Sequence, residues 1–281
     1  MACHVTVSTI AGESIEIGLE KQGTISDLKQ ALATSMWRVP VACQNLLADG
    51  DPQLLHDSTP IAYERYTLLI SLEALTLALE RGNLPQRLEA LQNLGKLGPR
   101  GGEAAIATLV RCLDDPEKRL RDKAIRVLTQ LAERGERRAV VSAVAGRLSA
   151  SERGCKLTVV EALASVAQPG DEDALAAVTR TLGEDHSPDV RAAAAEAFPA
   201  LAPKGCGRSV AALVRALGDE DPEVVEAVLE AIAEVADEGD NHAINAVREV
   251  QQREDVAHSP DVASALLKAL SKLRDVAEPS E

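Results

Sequence analysis

Aromatic side chains are nearly absent. They make up 1% of 281 residues, and all four can be named: Trp37, Tyr63, Tyr66 and Phe198. Proteins that hold single-stranded nucleic acid stack bases on aromatic platforms. Sugar and cofactor pockets commonly use aromatics as walls. This chain has little material for either, so nucleic acid is not expected as a partner. Cysteine is scarce as well. Cys3, Cys43, Cys112, Cys155 and Cys206 are odd in number, far apart and without a CxxC pair. That pattern fits free thiols in a reducing compartment better than a disulfide framework. No apolar run approaches the ~18 residues a membrane helix needs. The opening "MACHVTVSTIAGES" has no basic stretch followed by an apolar one and is not rich in arginine. The expectations are therefore no membrane insertion, no signal or transit peptide, and a cytoplasmic or nuclear location.

Catalytic signatures are also missing. None of His4, His56, His186, His242 and His258 stands at metal-ligand spacing from a Cys, Asp or Glu on one helix face. The sequence has no GxxxxGK[ST], GxGxxG or GxSxG. "GCGRS" at 205–209 precedes a helical pattern, so it reads either as an anion cradle at a helix N-terminus or as a plain helix-to-helix turn. No catalytic residue, metal or cofactor is expected.

What the chain does have is a period. "NLGKLGPRG" (93–101), "VLTQLAERG" (127–135), "ALASVAQPG" (162–170), "AFPALAPKG" (197–205) and "AIAEVADEG" (231–239) align, and their closing glycines are 34, 35, 35 and 34 residues apart. A sixth copy, "ALSKLRDVA", starts at Ala269 and lacks the glycine. Each unit holds a short helical pattern, a turn, and a second amphipathic helix. The turns carry Asp with Pro, as in "DDP" (114–116), "DHSP" (185–188) and "DEDP" (219–222), or Pro alone in "AHSP" (257–260). An acid before a first-turn proline caps free N–H groups. The second helices carry apolar triplets at i, i+3 and i+6: Leu91, Leu94, Leu97; Ile125, Leu128, Leu131; Val160, Leu163, Val166; Ala195, Phe198, Leu201; Leu229, Ile232, Val235. A glycine after each helix suggests a left-handed cap. One such pair cannot bury its apolar stripe alone, whereas stacked neighbours can.

Charge follows the same axis. The net charge is −14, but residues 81–160 carry 16 basic and 9 acidic side chains, net +7, while residues 161–281 carry 10 and 25, net −15. Equivalent second-helix positions run Gln92, Arg126, Glu161, Glu196, Glu230. Such polarity can steer a partner of opposite sign or a second copy. Arg87, Arg121, Lys156 and Arg191 share another position in successive repeats. Two readings of this row stand side by side: ion pairs with turn aspartates, or a basic stripe on an inner surface that accepts an acidic partner.

Residues 1–72 read differently. "HVTVSTI" (4–10) and "SIEIGL" (14–19) alternate around Ala11–Gly12, which is a hairpin pattern. "TISDLKQALA" (24–33) opens with Thr24 and Asp27 at capping-box spacing and carries Ile25, Leu28 and Leu32 on one face. A turn at Asp49–Gly50 and a strand "YTLLISL" (66–72) follow, so the order is β–β–α–β–β.

Two family resemblances rest on these residues. The turn "DEDPEVV" and the amphipathic helix after it resemble HEAT repeats, a likeness that covers about 73–281 and implies six helix pairs. HEAT families often place an Asp in the turn and an Arg six residues later, making a ladder between repeats. Asp115 with Arg121 and Asp185 with Arg191 match that pattern, whereas Asp219 is followed by Val225 and Lys156 by no preceding turn acid. Gly12, "TI" at the helix start, Lys29, Pro40 and "LLADG" resemble the ubiquitin-like β-grasp fold. No Gly–Gly tail occurs, so the resemblance implies a built-in docking module rather than a conjugated modifier. Its apolar recognition patch maps onto Ile10, Leu47, Leu69 and Ser71, of which Ser71 breaks the pattern.

The resulting expectation is an α+β chain of two domains: a ubiquitin-like domain at 1–72 and an all-α HEAT-repeat solenoid at 73–281. The function implied is a non-enzymatic scaffold or adaptor. Its concave solenoid surface would bind a protein partner and its ubiquitin-like domain would supply a second contact. Candidate partner-binding residues are Arg87, Arg119, Arg121, Arg126, Lys156, Arg191, Leu47 and Leu69. HEAT relatives suggest two alternatives: a pigment-lyase-type protein or its subunit, and a ubiquitin or proteasome shuttle. HEAT metalloenzymes that hydroxylate protein lysine derivatives use His-Glu pairs, and none occurs here. Oligomeric state and partner identity are not encoded in these patterns.

Overall fold

The computed structural model describes residues 3–20, 23–150, 153–253 and 259–273. Alternating apolar residues at the N-terminus form β1 (Cys3–Thr9) and β2 (Ser14–Leu19), which pair antiparallel. Gly12 turns the hairpin at φ +87°, a left-handed value that favours glycine. Helix α1 (Ile25–Thr34) starts in a reciprocal capping box between Thr24 and Asp27. Strands β3 (Gln44–Ala48) and β4 (Arg65–Ile70) complete a four-stranded sheet in the order β2-β1-β4-β3. Strands β1 and β4 run parallel, and the other pairs are antiparallel. The core between sheet and helix is Val5, Val7, Leu46, Tyr66 and Leu68 against Ile25, Leu28 and Leu32, all buried.

The helical region opens with α2 (Glu73–Arg81) and α3 (Leu84–Leu97), followed by α4 (Gly102–Arg111) and α5 (Lys118–Leu131). Next come α6 (Arg137–Ala150) with α7 (Arg153–Val166) and α8 (Glu172–Glu184) with α9 (Pro188–Leu201). Then α10 (Gly207–Ala216) precedes α11 (Pro222–Val235), and α12 (Asn241–Val250) precedes α13 (Pro260–Leu273). These are six helix pairs. The sixth turn, "AHSP", begins outside the described residues, and so does the end of the sixth copy after Leu273.

The chain divides into two compact units. One is Met1–Cys112 with Lys118–Glu136; the other is Leu113–Glu117 with Arg137–Glu281. In the first unit the sheet meets the solenoid start through Arg100. Its guanidinium lies 3.1 Å from Glu13 and 5.7 Å from the ring centroid of buried Trp37, a cation–π distance. In both units the apolar triplets of the second helices are buried. Each large side chain so buried is worth roughly 1.5–3 kcal/mol of transfer free energy.

In the second unit each glycine cap also joins neighbours. A helix leaves its last carbonyls without intrahelical partners. The N–H of Gly170 donates to Leu201 O at 2.8 Å, Gly205 to Val235 O at 2.7 Å and Gly239 to Leu273 O at 3.0 Å. Each acceptor is the last residue of the following second helix. Positive φ angles of 92°, 71° and 79° aim the three N–H groups. Where α5 leads into α6 through a π-turn at Ala132–Glu136, the Arg137 side chain reaches Val166 O at 3.2 Å instead. The first closing glycine departs from expectation. Gly101 is not left-handed; the Pro99 beside it turns "GPRG" into a 3₁₀ segment, and the positive φ falls on Gly98 and Gly102.

Candidate functional site: a cationic groove between α3 and α5

Within the row Arg87, Arg121, Lys156, Arg191, the last two hold consecutive repeats together. Lys156 Nζ lies 2.5 Å from Asp185 Oδ2. Arg191 donates from Nε and Nη2 to both oxygens of Asp219 at 2.7 and 2.8 Å, and from Nη1 to the Asp185 carbonyl at 2.9 Å. Each cation thus bonds to the turn aspartate one repeat further on. The same aspartates shape their own turns: Asp185 accepts the Ser187 N–H and Asp219 the Asp221 N–H. Burial pushes both carboxyls up, but the Lys156 or Arg191 bonds and these N–H groups more than reverse it, leaving both below the usual carboxylate value. In the last described turn Arg253 donates to Leu217 O and Asp219 O. Arg147 pairs with Asp114 in the turn before α5. Arg87 donates from Nε to Leu79 O at 2.8 Å, and Arg121 is half-buried with interactions of its own.

Arg119 and Arg126 are placed elsewhere. They project with Asp122 and Lys123 from α5 into an open groove of about 720 Å³, whose other wall is Pro85, Leu88, Glu89, Gln92 and Lys96 of α3. The two helices approach closely because α3 has Gly95 at the contact. A Cβ there would stand 2.8 Å from Val127 Cγ1 of α5, nearer than side chains tolerate. Arg119, Arg126 and Lys96 are exposed and Lys123 is half-buried. None of the four makes an ion pair among the described residues. Lys96 reaches only the Asn93 amide oxygen and Arg126 only the Asp122 carbonyl.

The same surface positions are closed at the other end of the solenoid. Across α11 and α13, Glu230 pairs with Lys268 at 2.9 Å, and Glu234 pairs with Lys272. The register set by Val235 and Leu273 makes these the positions of Gln92 and Arg126, and of Lys96 and Gln130. Where α11 has Glu230 and Glu234, α3 has Gln92 and Lys96 at the equivalent positions, and α5 has Gln130 where α13 has Lys272. Lys96 and Lys123 were not among the residues expected from sequence. Comparing each surface position across repeats reveals them; their local context does not.

The sheet residues are differently placed. Leu47 and Leu69 are half-buried on the face opposite Leu46 and Leu68. Ile10, just beyond the Thr9–Leu68 pair, is 80% exposed. Ser71 accepts the Glu73 N–H at the start of α2. Among the described residues no three His, Cys, Asp or Glu form a group that could hold a metal ion, and no helix is long and apolar enough to cross a membrane.

Stacked helix pairs of 34–35 residues define a repeat α-solenoid, here preceded by a small β-sheet domain. Residues 113–199 match the family described as HEAT repeats, and the pairs on either side of that stretch have the same build. Three similar solved structures show the range. CpcE and CpcF of phycocyanin lyase from Nostoc sp. PCC7120 share 19% identity over 59% of this chain and 98% of that one, TM-score 0.47. A designed armadillo repeat protein in complex with the peptide (KR)4 shares 18% over 73% and 100%, TM-score 0.46. The archaeal HEAT-like repeats protein from Thermococcus onnurineus NA1 shares 13% over 72% and 86%, TM-score 0.43. No curated protein matches the sequence.

Proposed function

We propose that this chain is a non-enzymatic protein-binding scaffold whose α3–α5 groove accepts an acidic segment of a protein partner. One observation carries the reading: Lys96, Arg119, Lys123 and Arg126 converge on one groove without ion pairs among the described residues, while the α11–α13 positions equivalent to those of Lys96 and Arg126 are closed by Glu–Lys pairs. Groove cations without an ion pair among the described residues remain available to attract an external carboxylate, on a chain whose net charge is −14.

Helix energetics support it. Three of the other second helices put an acid in the first turn, Asp189 in α9, Glu223 in α11 and Asp261 in α13, where the helix dipole favours negative charge. Helix α5 has none there and starts Lys118–Arg119. Cations at that end cost a few tenths to about 1 kcal/mol. A local cost of this kind is common where a residue serves binding rather than stability.

The division at residue 72 between a ubiquitin-like domain and the solenoid is part of the proposal, with Leu47 and Leu69 as a second docking surface. A cytoplasmic or nuclear setting fits the free thiols. A planar pigment is the less supported ligand, since no aromatic residue lines the groove. The test is fluorescence anisotropy with a labelled Glu-rich peptide at low salt. Binding that weakens at least tenfold in an Arg119→Glu, Arg126→Glu double variant of unchanged helicity supports the reading; no binding by the wild type removes it.

A further inference from the structure

The groove's cations are arranged in a row. Arg119, Lys123 and Arg126 stand at i, i+4 and i+7 of α5, which an α-helix brings onto one face. At 1.5 Å per residue the row is about 10 Å long. Lys96 faces it from α3, and Pro85 with half-buried Leu88 gives the groove an apolar end. A complementary ligand must therefore present carboxylates in a line with an apolar strip beside them.

The chain itself contains a match to that description. On α11, Glu230 and Glu234 are four residues apart on one face, and they pair with Lys268 and Lys272, also four apart, on α13. Beside these acids α11 buries Val228, Leu229 and Ile232. An acidic amphipathic helix is thus what this architecture already uses against a helix bearing cations at i and i+4.

We infer that the occupant of the α3–α5 groove is an acidic amphipathic helix with carboxylates at i, i+4 and i+7, a step that rests on the protein-binding role proposed for that groove. Its carboxylates meet Arg119, Lys123 and Arg126, and its apolar strip covers Leu88 and Pro85. A helix about 10 Å across fits beside two helices at ordinary packing distances of 8–10 Å. Binding would orient the helix as well as hold it, because the apolar end of the groove is at Pro85 and the lysine of α3 at Lys96.

The experiment uses the full chain and three labelled peptides of about 16 residues, long enough to be helical in an Ala-rich host. All carry three Glu and two Leu. In the first, Glu stands at i, i+4 and i+7 with the leucines alongside. In the second, the same residues are scattered around the helix. The third keeps the first spacing but has a central proline in place of one alanine. A short DNA duplex is the fourth probe. The expected result is that the first peptide binds at least tenfold more tightly than the other three probes, gains helicity on binding, and loses at least tenfold in affinity to the Arg119→Glu, Arg126→Glu variant. Equal binding of the first and third peptides overturns the inference and leaves an acidic-segment groove in place. Duplex binding as tight as that of the first peptide overturns it in favour of a phosphate backbone. No binding by any probe removes both the inference and the reading it rests on.

Discussion

Arg191 grips Asp219 with two parallel hydrogen bonds, 2.7 and 2.8 Å, across the boundary between consecutive repeats. A bidentate guanidinium–carboxylate pair has geometric as well as electrostatic specificity. Its side chains are only 17% and 12% exposed, so solvent screens it little. Removing Arg191 leaves the Asp219 charge half-buried and uncompensated. Arg191→Ala should cost about 2–3 kcal/mol, toward the lower end of what breaking a buried pair costs. Arg191→Lys should recover part of that, since a lysine keeps the charge but not the fork. The effect has a pH signature. Asp219 ionises more readily folded than unfolded, so its contribution is full above the unfolded carboxylate range near 4 and is lost as pH falls through the lower folded value. The gap in thermal midpoint between wild type and Arg191→Ala should narrow below pH 4. A gap unchanged down to pH 2.5 would mean the pair is not what the variant lost.

Much of the solenoid is legible in the sequence because its signals repeat. The apolar triplets from Leu91 to Val235 recur once per repeat, and all are buried. The row Arg87, Arg121, Lys156, Arg191 is equally visible, but its partners are not. Lys156 bonds to Asp185 and Arg191 to Asp219, residues 29 and 28 positions away, whereas the nearer Asp185 gives Arg191 only its carbonyl. The groove was hardest to see. Lys96 and Arg126 come together only because α3 and α5 are lateral neighbours, packed tightly at Gly95 and Val127. No window along the chain spans both. The first closing glycine differs for a local reason: Pro99 fixes its own φ inside the 3₁₀ segment, and the left-handed conformation falls on Gly98 and Gly102 rather than Gly101.

Two glycines should respond in opposite directions to alanine. Gly205 has φ +71°, and a Cβ there would collide with the Asp237 carboxylate. Its N–H also holds Val235 O. Gly205→Ala should destabilise by about 1–3 kcal/mol. Gly146 lies inside α6, exposed, with nothing within 4 Å of a new Cβ. Gly146→Ala should stabilise by about 0.5–1 kcal/mol, because alanine loses less backbone freedom in a helix. Chemical denaturation of the two variants checks both; shifts of the same sign would contradict the cap geometry.

Glu226 on α11 is an acid in an unfavourable place. Burial pushes its carboxyl up, and Asp261, Glu230, Glu223 and Glu196 around it add to the shift. A raised folded pKa means the ionised form is disfavoured by folding. Stability is therefore lost as pH rises through that value and regained below it. Glu226→Gln should raise the melting temperature at pH 7 by about 1–2 °C. The gain should shrink as pH falls through the carboxylate range and the wild-type carboxyl takes up its proton. A gain independent of pH would assign the effect to packing.

The thiols should differ in reactivity. Cys43 is fully buried, and burial pushes it up to about 11. Cys206 caps the start of α10, where the Ser209 hydroxyl and then the Ser209 and Arg208 N–H groups hold its thiol below the usual value. Thiolate is the nucleophile, so the fraction ionised at pH 7.5 sets the rate. Limited alkylation followed by peptide mass mapping should find Cys206 modified before Cys43. Cys43 reacting first would require that the sheet domain open on the timescale of labelling.

Arg119 should separate stability from binding. It is exposed, makes no ion pair among the described residues and lies in the first turn of α5, against the positive end of the helix dipole. Arg119→Glu replaces that repulsion with the attraction already used by Glu223 at the start of α11. The variant should therefore be more stable than wild type, by about 0.5–1 kcal/mol. The same change puts a carboxylate into the groove beside Glu89 and Asp122 and takes one cation from Lys96, Lys123 and Arg126. Acidic-peptide binding should fall at least fivefold at low ionic strength, with a smaller loss at high salt as screening shortens the reach of the charge. Thermal unfolding and anisotropy on one preparation measure both. A variant that is less stable and binds less would make Arg119 a structural residue. One that is more stable and binds as before would move the acidic contact away from α5.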